Sequence, residues 1–143
     1  MPAFDDTSTF HGTSDEFAKA LINGCVDTTL GGGEFGRGFY LGTELHVAKA
    51  WAKQRYDTAA VVEFRMKDED FFNFDIEALT QTQAIEHREH IKSTQTQRSF
   101  TFGKDVAWGP IVGGPKIFCD QHKWESTAGQ SYLNGSSALR ILR

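Results

Sequence analysis

Gly31-Gly32-Gly33-Glu34-Phe35-Gly36-Arg37-Gly38-Phe39-Tyr40-Leu41-Gly42-Thr43 decides how this chain reads. Its first half is rich in glycine, which adopts backbone conformations closed to other residues and lets other chain segments come close. Its end, Phe39-Tyr40-Leu41, has the aromatic and aliphatic composition of a strand. The stretch therefore reads as a flexible loop that delivers a strand. Thr43 then caps a helix in which Leu45, Ala48, Trp51, Ala52 and Tyr56 mark one apolar face, while Lys49, Lys53 and Gln54 face water. Upstream, Ser14 or Asp15 caps a shorter helix through Glu16, Phe17, Ala18, Leu21 and Ile22, with Gly24 as its stop. Residues 8–12 before it read as a short strand.

Downstream, Val61, Val62, Phe64 and Met66 form a strand, and Phe71, Phe72 and Phe74 extend a second apolar stretch. Residues 75–98 are polar, with Ile76, Leu79, Ile85 and Ile91 too irregular for one helical stripe, so this segment reads as helix and loop. Short strands follow at 106–108, 116–119 and 131–133, separated by Gly109-Pro110 and Gly113-Gly114-Pro115 turns. The ending Ser137-Ala138-Leu139-Arg140-Ile141-Leu142 reads as a strand or a helical turn. No repeat, linker or low-complexity block interrupts the chain, which points to one α+β domain over residues 1–143.

A chain of 143 residues with 39% hydrophobic residues can bury a single core. The net charge of -4 gives no global attraction to nucleic acid or anionic lipid. No apolar run approaches the roughly 20 residues that span a bilayer, and residues 1–10 lack the basic and apolar segments expected of a signal peptide. A soluble protein is expected, cytoplasmic or delivered into a target cell without such a signal. Cys25 and Cys119 form neither a Cys-x-x-Cys pair nor a metal-spaced set with histidine, so no metal is expected.

Two motifs are set aside on context. Residues 31–36 fit G-x-G-x-x-G, but a dinucleotide fingerprint needs a strand before it and a helix opening at its last glycine, whereas an aromatic strand follows here. Glu86-His87-Arg88-Glu89-His90 matches neither H-E-x-x-H nor H-x-x-E-H and reads as a solvated helix face.

Phe10-His11-Gly12-Thr13-Ser14, then Gly33 through Thr43, then Ala48-Lys49-Ala50-Trp51-Ala52 occur in that order. Together they resemble the ADP-ribosyltransferase superfamily of the diphtheria-toxin and poly(ADP-ribose)-polymerase type, in particular its short bacterial domains. Asp105-Val106, Gly109-Pro110-Ile111, Gln130-Ser131-Tyr132 and Ala138-Leu139 extend the resemblance from Phe10 to Leu142. The resemblance implies a split β-sandwich with flanking helices around an NAD cleft. It also implies transfer of ADP-ribose to a macromolecular acceptor with release of nicotinamide; the acidic net charge favours protein over nucleic acid as that acceptor without excluding the latter. An NAD glycohydrolase toxin and a catalytically weak module binding NAD or ADP-ribose are the alternatives. A toxin would further imply a cognate antitoxin or immunity protein.

The residue types suit that ligand. NAD offers ribose hydroxyls, an amide-bearing ring and a pyrophosphate, and an imidazole, an aromatic ring and open backbone can meet them. By the resemblance, His11 bonds an adenosine ribose hydroxyl, Gly12 holds the nicotinamide amide through its backbone, and Tyr40 stacks on the nicotinamide ring. Thr13, Gly36, Gly38 and Phe39 complete the binding set, and Arg37 is expected to reach the phosphates. The third catalytic position, a Glu at the start of a late strand in many relatives, falls on Gln130. Glutamine accepts a hydrogen bond but brings no charge to an oxocarbenium-like transition state. Glu125, just upstream, is the candidate substitute, and its own reading is a solvent-exposed loop carboxylate.

Overall fold

A computed structural model describes residues 6–113 and 119–143. Among these residues the chain is α+β, with seven strands and five helices. None of the helices is long and apolar enough to cross a membrane. The chain forms two compact units, each built from discontinuous segments: Met1–Val26, Leu41–Phe74 and Ser131–Arg143 make the first, Asp27–Tyr40 and Asp75–Gln130 the second.

In the first unit, β1 (Asp6–Thr13) pairs antiparallel along its whole length with β3 (Ala60–Lys67), from Asp6 opposite Lys67 to Thr13 opposite Ala60. β7 (Leu139–Leu142) lies on the other side of β3, and Gly42, at the end of β2 (Phe39–Gly42), whose Phe39 and Tyr40 belong to the second unit, stands opposite Phe10 of β1. Because β3 has partners on both sides, Val61, Val62, Phe64 and Met66 are all buried along it. Glu63 is buried among them. Burial raises its pKa, but hydrogen bonds from Ser8, Arg143 and Arg65 outweigh that and hold the carboxyl below its usual range. Helix α1 (Asp15–Ile22) starts where expected, the Ser14 side chain accepting from Phe17 N at 3.2 Å, and Gly24 follows its end at φ +85°.

Helix α2 (Leu45–Tyr56) departs from its sequence reading. Glu44 rather than Thr43 occupies the cap position, with no side-chain cap bond. Only Ala48 and Ala52 are buried, whereas Trp51 is 53% exposed and Tyr56 44%. The cause lies across the contact. A Cβ at Gly12 would collide with the Ala48 carbonyl oxygen and come within 3.3 Å of the Ala52 Cβ. Helix and strand thus touch through their smallest residues, and a large ring cannot fit beneath the helix. Trp51 sits outside with the Arg55 guanidinium carbon 5.5 Å from its ring centroid. Trp51→Ala is therefore expected to cost about 1 kcal/mol or less, the worth of an exposed cation–π pair, as read from a thermal melt. A loss of several kcal/mol would show that the ring is buried.

After β3, Phe71 and Phe72 end the short helix α3 (Asp68–Phe72), with Phe71 buried and Phe72 60% exposed, and Phe74 follows the helix.

In the second unit, β4 (Ile76–Ala78) runs parallel to β5 (Val106–Pro110), which pairs antiparallel with β6 (Asp120–Trp124). Between β4 and β5 lies α4 (Gln81–Thr94), opened by a Thr80–Gln83 capping box and burying only Ala84 and Ile91. Two buried residues so far apart leave no continuous stripe, hence the irregular pattern of the sequence. The strand expected over 116–119 lies outside the described residues except for Cys119. The strand expected at 131–133 is instead part of helix α5 (Thr127–Asn134), whose residues up to Gln130 belong to this unit and whose residues from Ser131 belong to the first. The Ser126 side chain accepts from Gly129 N at 2.9 Å to cap that helix, and buried Leu133 anchors it.

Candidate functional site

His11, Gly12 and Thr13 lie on β1 in the first unit. His11 is half-buried, its ring 6.4 Å from that of Phe17, and stands opposite Val62. Thr13 is buried, and its carbonyl accepts from Thr58 Oγ1 at 2.9 Å. Gly12 is required by the α2 contact, so its presence alone does not single out a ligand.

The second unit gathers Gly36, Arg37, Gly38, Phe39, Tyr40, Gln130 and also Glu125. Tyr40 folds its ring back over the glycine loop. Its hydroxyl accepts from Phe35 N at 2.9 Å and donates to the Gly36 carbonyl at 2.6 Å, and its Cζ would lie 2.9 Å from a Cβ at Gly33. Burial, with Glu34 and Glu125 adding to it, holds the phenol well above its ordinary pKa despite the Phe35 N–H, so it stays a donor at physiological pH. Gly36 has φ +89°, and a Cβ there would strike the Phe100 carbonyl; one at Gly38 would approach the Trp124 carbonyl to 2.6 Å. These glycines are conformational and steric requirements of the loop. Tyr40→Phe keeps the ring but orphans the Phe35 N–H and the Gly36 carbonyl. It is expected to cost about 1–3 kcal/mol, seen as a lower denaturation midpoint. An unchanged midpoint would show that neither bond matters.

Arg37, between two such glycines, donates its backbone N–H to the Phe100 carbonyl at 2.8 Å. Its side-chain Nε is buried and has no hydrogen-bond partner among the described residues. The same side chain lines an open cleft of about 410 Å³, together with Lys104, Asp75, Asp105, Thr101 and Thr127.

Glu125 also borders this cleft, and its reading as a solvent-exposed carboxylate is overturned: it is only 5% exposed. Its oxygens accept from the backbone N–H groups of Phe102, Gly103 and Lys104, at 3.1, 2.8 and 3.2 Å, and pair with the buried Lys123 ammonium. Lys123 lies 5.1 Å from the Phe102 ring centroid, and burial lowers its pKa despite the Glu125 partner. Gln130 lies on α5 rather than at a strand start, and its Oε1 accepts from Thr28 N at 2.8 Å and Thr28 Oγ1 at 3.2 Å. Its acceptor atom is therefore engaged within the fold, leaving the Nε2 amide as the group it could offer a ligand.

Sequence reasoning passed over two further groups. Glu34, inside the glycine run, accepts from Val112 N, Gly113 N and Gln121 Nε2 and pairs with Arg88. His122 on β6 is buried, with its pKa pushed down to about 4 by that burial against the pull of Asp120, so it is neutral at physiological pH. His87 packs edge-on against Phe102 at 4.8 Å, and His90 is exposed. No group of three or more His, Cys, Asp or Glu among the described residues could hold a metal ion. Neither protein-family models nor curated proteins return a match to this chain.

Proposed function

We propose that this chain binds NAD and transfers ADP-ribose from it to a macromolecular acceptor, releasing nicotinamide. The observation that carries the reading is the ordered pair of motifs, His11-Gly12-Thr13 on β1 and Gly36-Arg37-Gly38-Phe39-Tyr40 leading into β2. In this reading His11 bonds a ribose hydroxyl, the Gly12 backbone holds the carboxamide, the Tyr40 ring stacks on nicotinamide, and Arg37 meets the phosphates. The reading carries with it the split β-sandwich of the superfamily, a protein acceptor, and an antitoxin or immunity protein where the chain acts as a toxin.

A second reading rests on a specific observation. Gln130 Oε1 is engaged by Thr28, and the Glu125 oxygens are engaged by Lys123 and the 102–104 backbone. An oxocarbenium-like transition state gains from a nearby carboxylate, and neither group offers an unengaged one. That favours a module that binds NAD or ADP-ribose with slow turnover or none.

Incubation of the protein with labelled NAD and cell lysate separates the readings. Label on protein together with free nicotinamide supports the transferase. Free ADP-ribose with nicotinamide makes the chain a glycohydrolase. Binding without nicotinamide release supports the module.

A further inference from the structure

β7 pairs with β3 on one side, and no described strand lies beyond it. Arg143 N donates to the Val61 carbonyl at 2.8 Å, so Arg143, Ile141 and Leu139 direct their main-chain groups at β3. The alternation of an antiparallel ladder then aims the N–H and C=O of Arg140 and Leu142 away from β3, where another strand can receive them. From this edge we infer that two copies of the chain associate through β7. The strands run antiparallel about a two-fold axis, with Arg140 opposite Leu142 of the second copy and Ile141 opposite Ile141 of the second copy.

Proteins ward off edge pairing with outward charge, proline or a bulge. β7 contains no proline and keeps one unbroken register with β3. Its cations are turned inward. The Arg140 guanidinium donates to the Ile22, Leu133 and Gly135 carbonyls at 3.2, 2.8 and 2.8 Å, and Arg143, just past the strand, pairs with Glu63. What β7 shows to solvent is apolar: Leu139 is 54% exposed and Leu142 57%.

The occupant follows from the fit of the strand to itself. With Arg140 opposite Leu142 in both directions, every outward N–H of the two edges meets an outward carbonyl. Leu142 then covers the aliphatic stem of Arg140 from the second copy, and Leu139 and Ile141 of both copies form one apolar row. A slip of the register that sets Arg140 opposite Arg140 is disfavoured by like charge, so one pairing is preferred. The interface is isologous, as a two-fold dimer requires. A strand of 4 residues buries little surface, so the dimer is weak and forms with rising concentration.

The test is sedimentation of the intact protein from about 10 μM to about 1 mM, for the parent, Leu142→Pro, Leu142→Lys and Leu142→Glu, with a melting curve for each. The parent is expected to shift from monomer to dimer across this range. Leu142→Pro removes one outward N–H from each copy without touching the bonds to β3, and should weaken the dimer about tenfold or more. Leu142→Lys sets a cation opposite Arg140 of the second copy and should weaken it likewise, whereas Leu142→Glu sets a carboxylate there and should leave it equal or tighter. Where the proline variant does not fold, the Lys and Glu pair decides. A parent that stays monomeric at about 1 mM overturns the inference and leaves the edge to a strand of a different protein. A dimer unchanged in folded Leu142→Pro and Leu142→Lys overturns it by placing the interface elsewhere, and equal weakening by Lys and Glu overturns the pairing of Leu142 with Arg140.

Discussion

Glu125→Ala is expected to lower stability by about 3–5 kcal/mol, the cost of leaving a buried charge without its counter-ion. Lys123 has no solvent exposure, and its ammonium would lose its carboxylate. The Phe102, Gly103 and Lys104 N–H groups would lose their acceptor at the same time, loosening the rim of the Arg37 cleft. The opposite truncation should be milder. Lys123→Met removes the ammonium but keeps most of the volume, and Glu125 still accepts from the three backbone groups. Chemical denaturation of both variants checks the asymmetry. A Glu125→Ala loss below about 1 kcal/mol, the size of an exposed pair, would show that the site is hydrated. The result also governs any activity test: lost turnover in Glu125→Ala reports on catalysis only where the variant is shown to be folded.

Gly12→Ala should destabilise by about 1–3 kcal/mol or more, through overpacking. The new methyl meets the backbone carbonyl of Ala48, not the end of a flexible side chain, so α2 has to shift off β1 for it to fit. Shortening Ala48 would not restore room, because the obstacle is main chain. Gly42→Ala is the control. The atom nearest to a Cβ there is the Phe10 carbonyl oxygen at 4.0 Å, an ordinary contact, and the variant should stay close to the parent in a thermal melt. Equal melting temperatures for the two variants would mean that the helix is not seated on the strand as described.

The parts of the fold legible in the sequence were those where local chemistry and burial agree. Val61, Val62, Phe64 and Met66 make a strand by composition, and Ser14 with Gly24 punctuates α1, as the structure has them. Strand β6 was hidden because Gln121, His122 and Lys123 are polar yet buried, each for a tertiary reason invisible locally. Helix α5 was mistaken for a strand because Ser131-Tyr132-Leu133 suits either state, and the deciding features, the Ser126 cap and the Asn134 bonds to Val26, lie at its ends. Trp51 was misplaced because helical spacing tells which residues share a face, not how closely that face approaches its neighbour. In the candidate site, the glycine loop and Arg37 stood out by sequence. The engagement of Glu125 and Gln130 did not, since their partners are Lys123, the 102–104 backbone and Thr28.

The most direct measurement of the NAD reading is a calorimetric titration of NAD into the parent protein and into His11→Ala. His11 is half-buried on β1, and its removal is confined to one side chain of the first motif. Saturable binding by the parent, weakened about tenfold or more in a folded His11→Ala, a loss of at least about 1.4 kcal/mol, is the expected result. No binding by the parent, or the same affinity in both proteins, would contradict it.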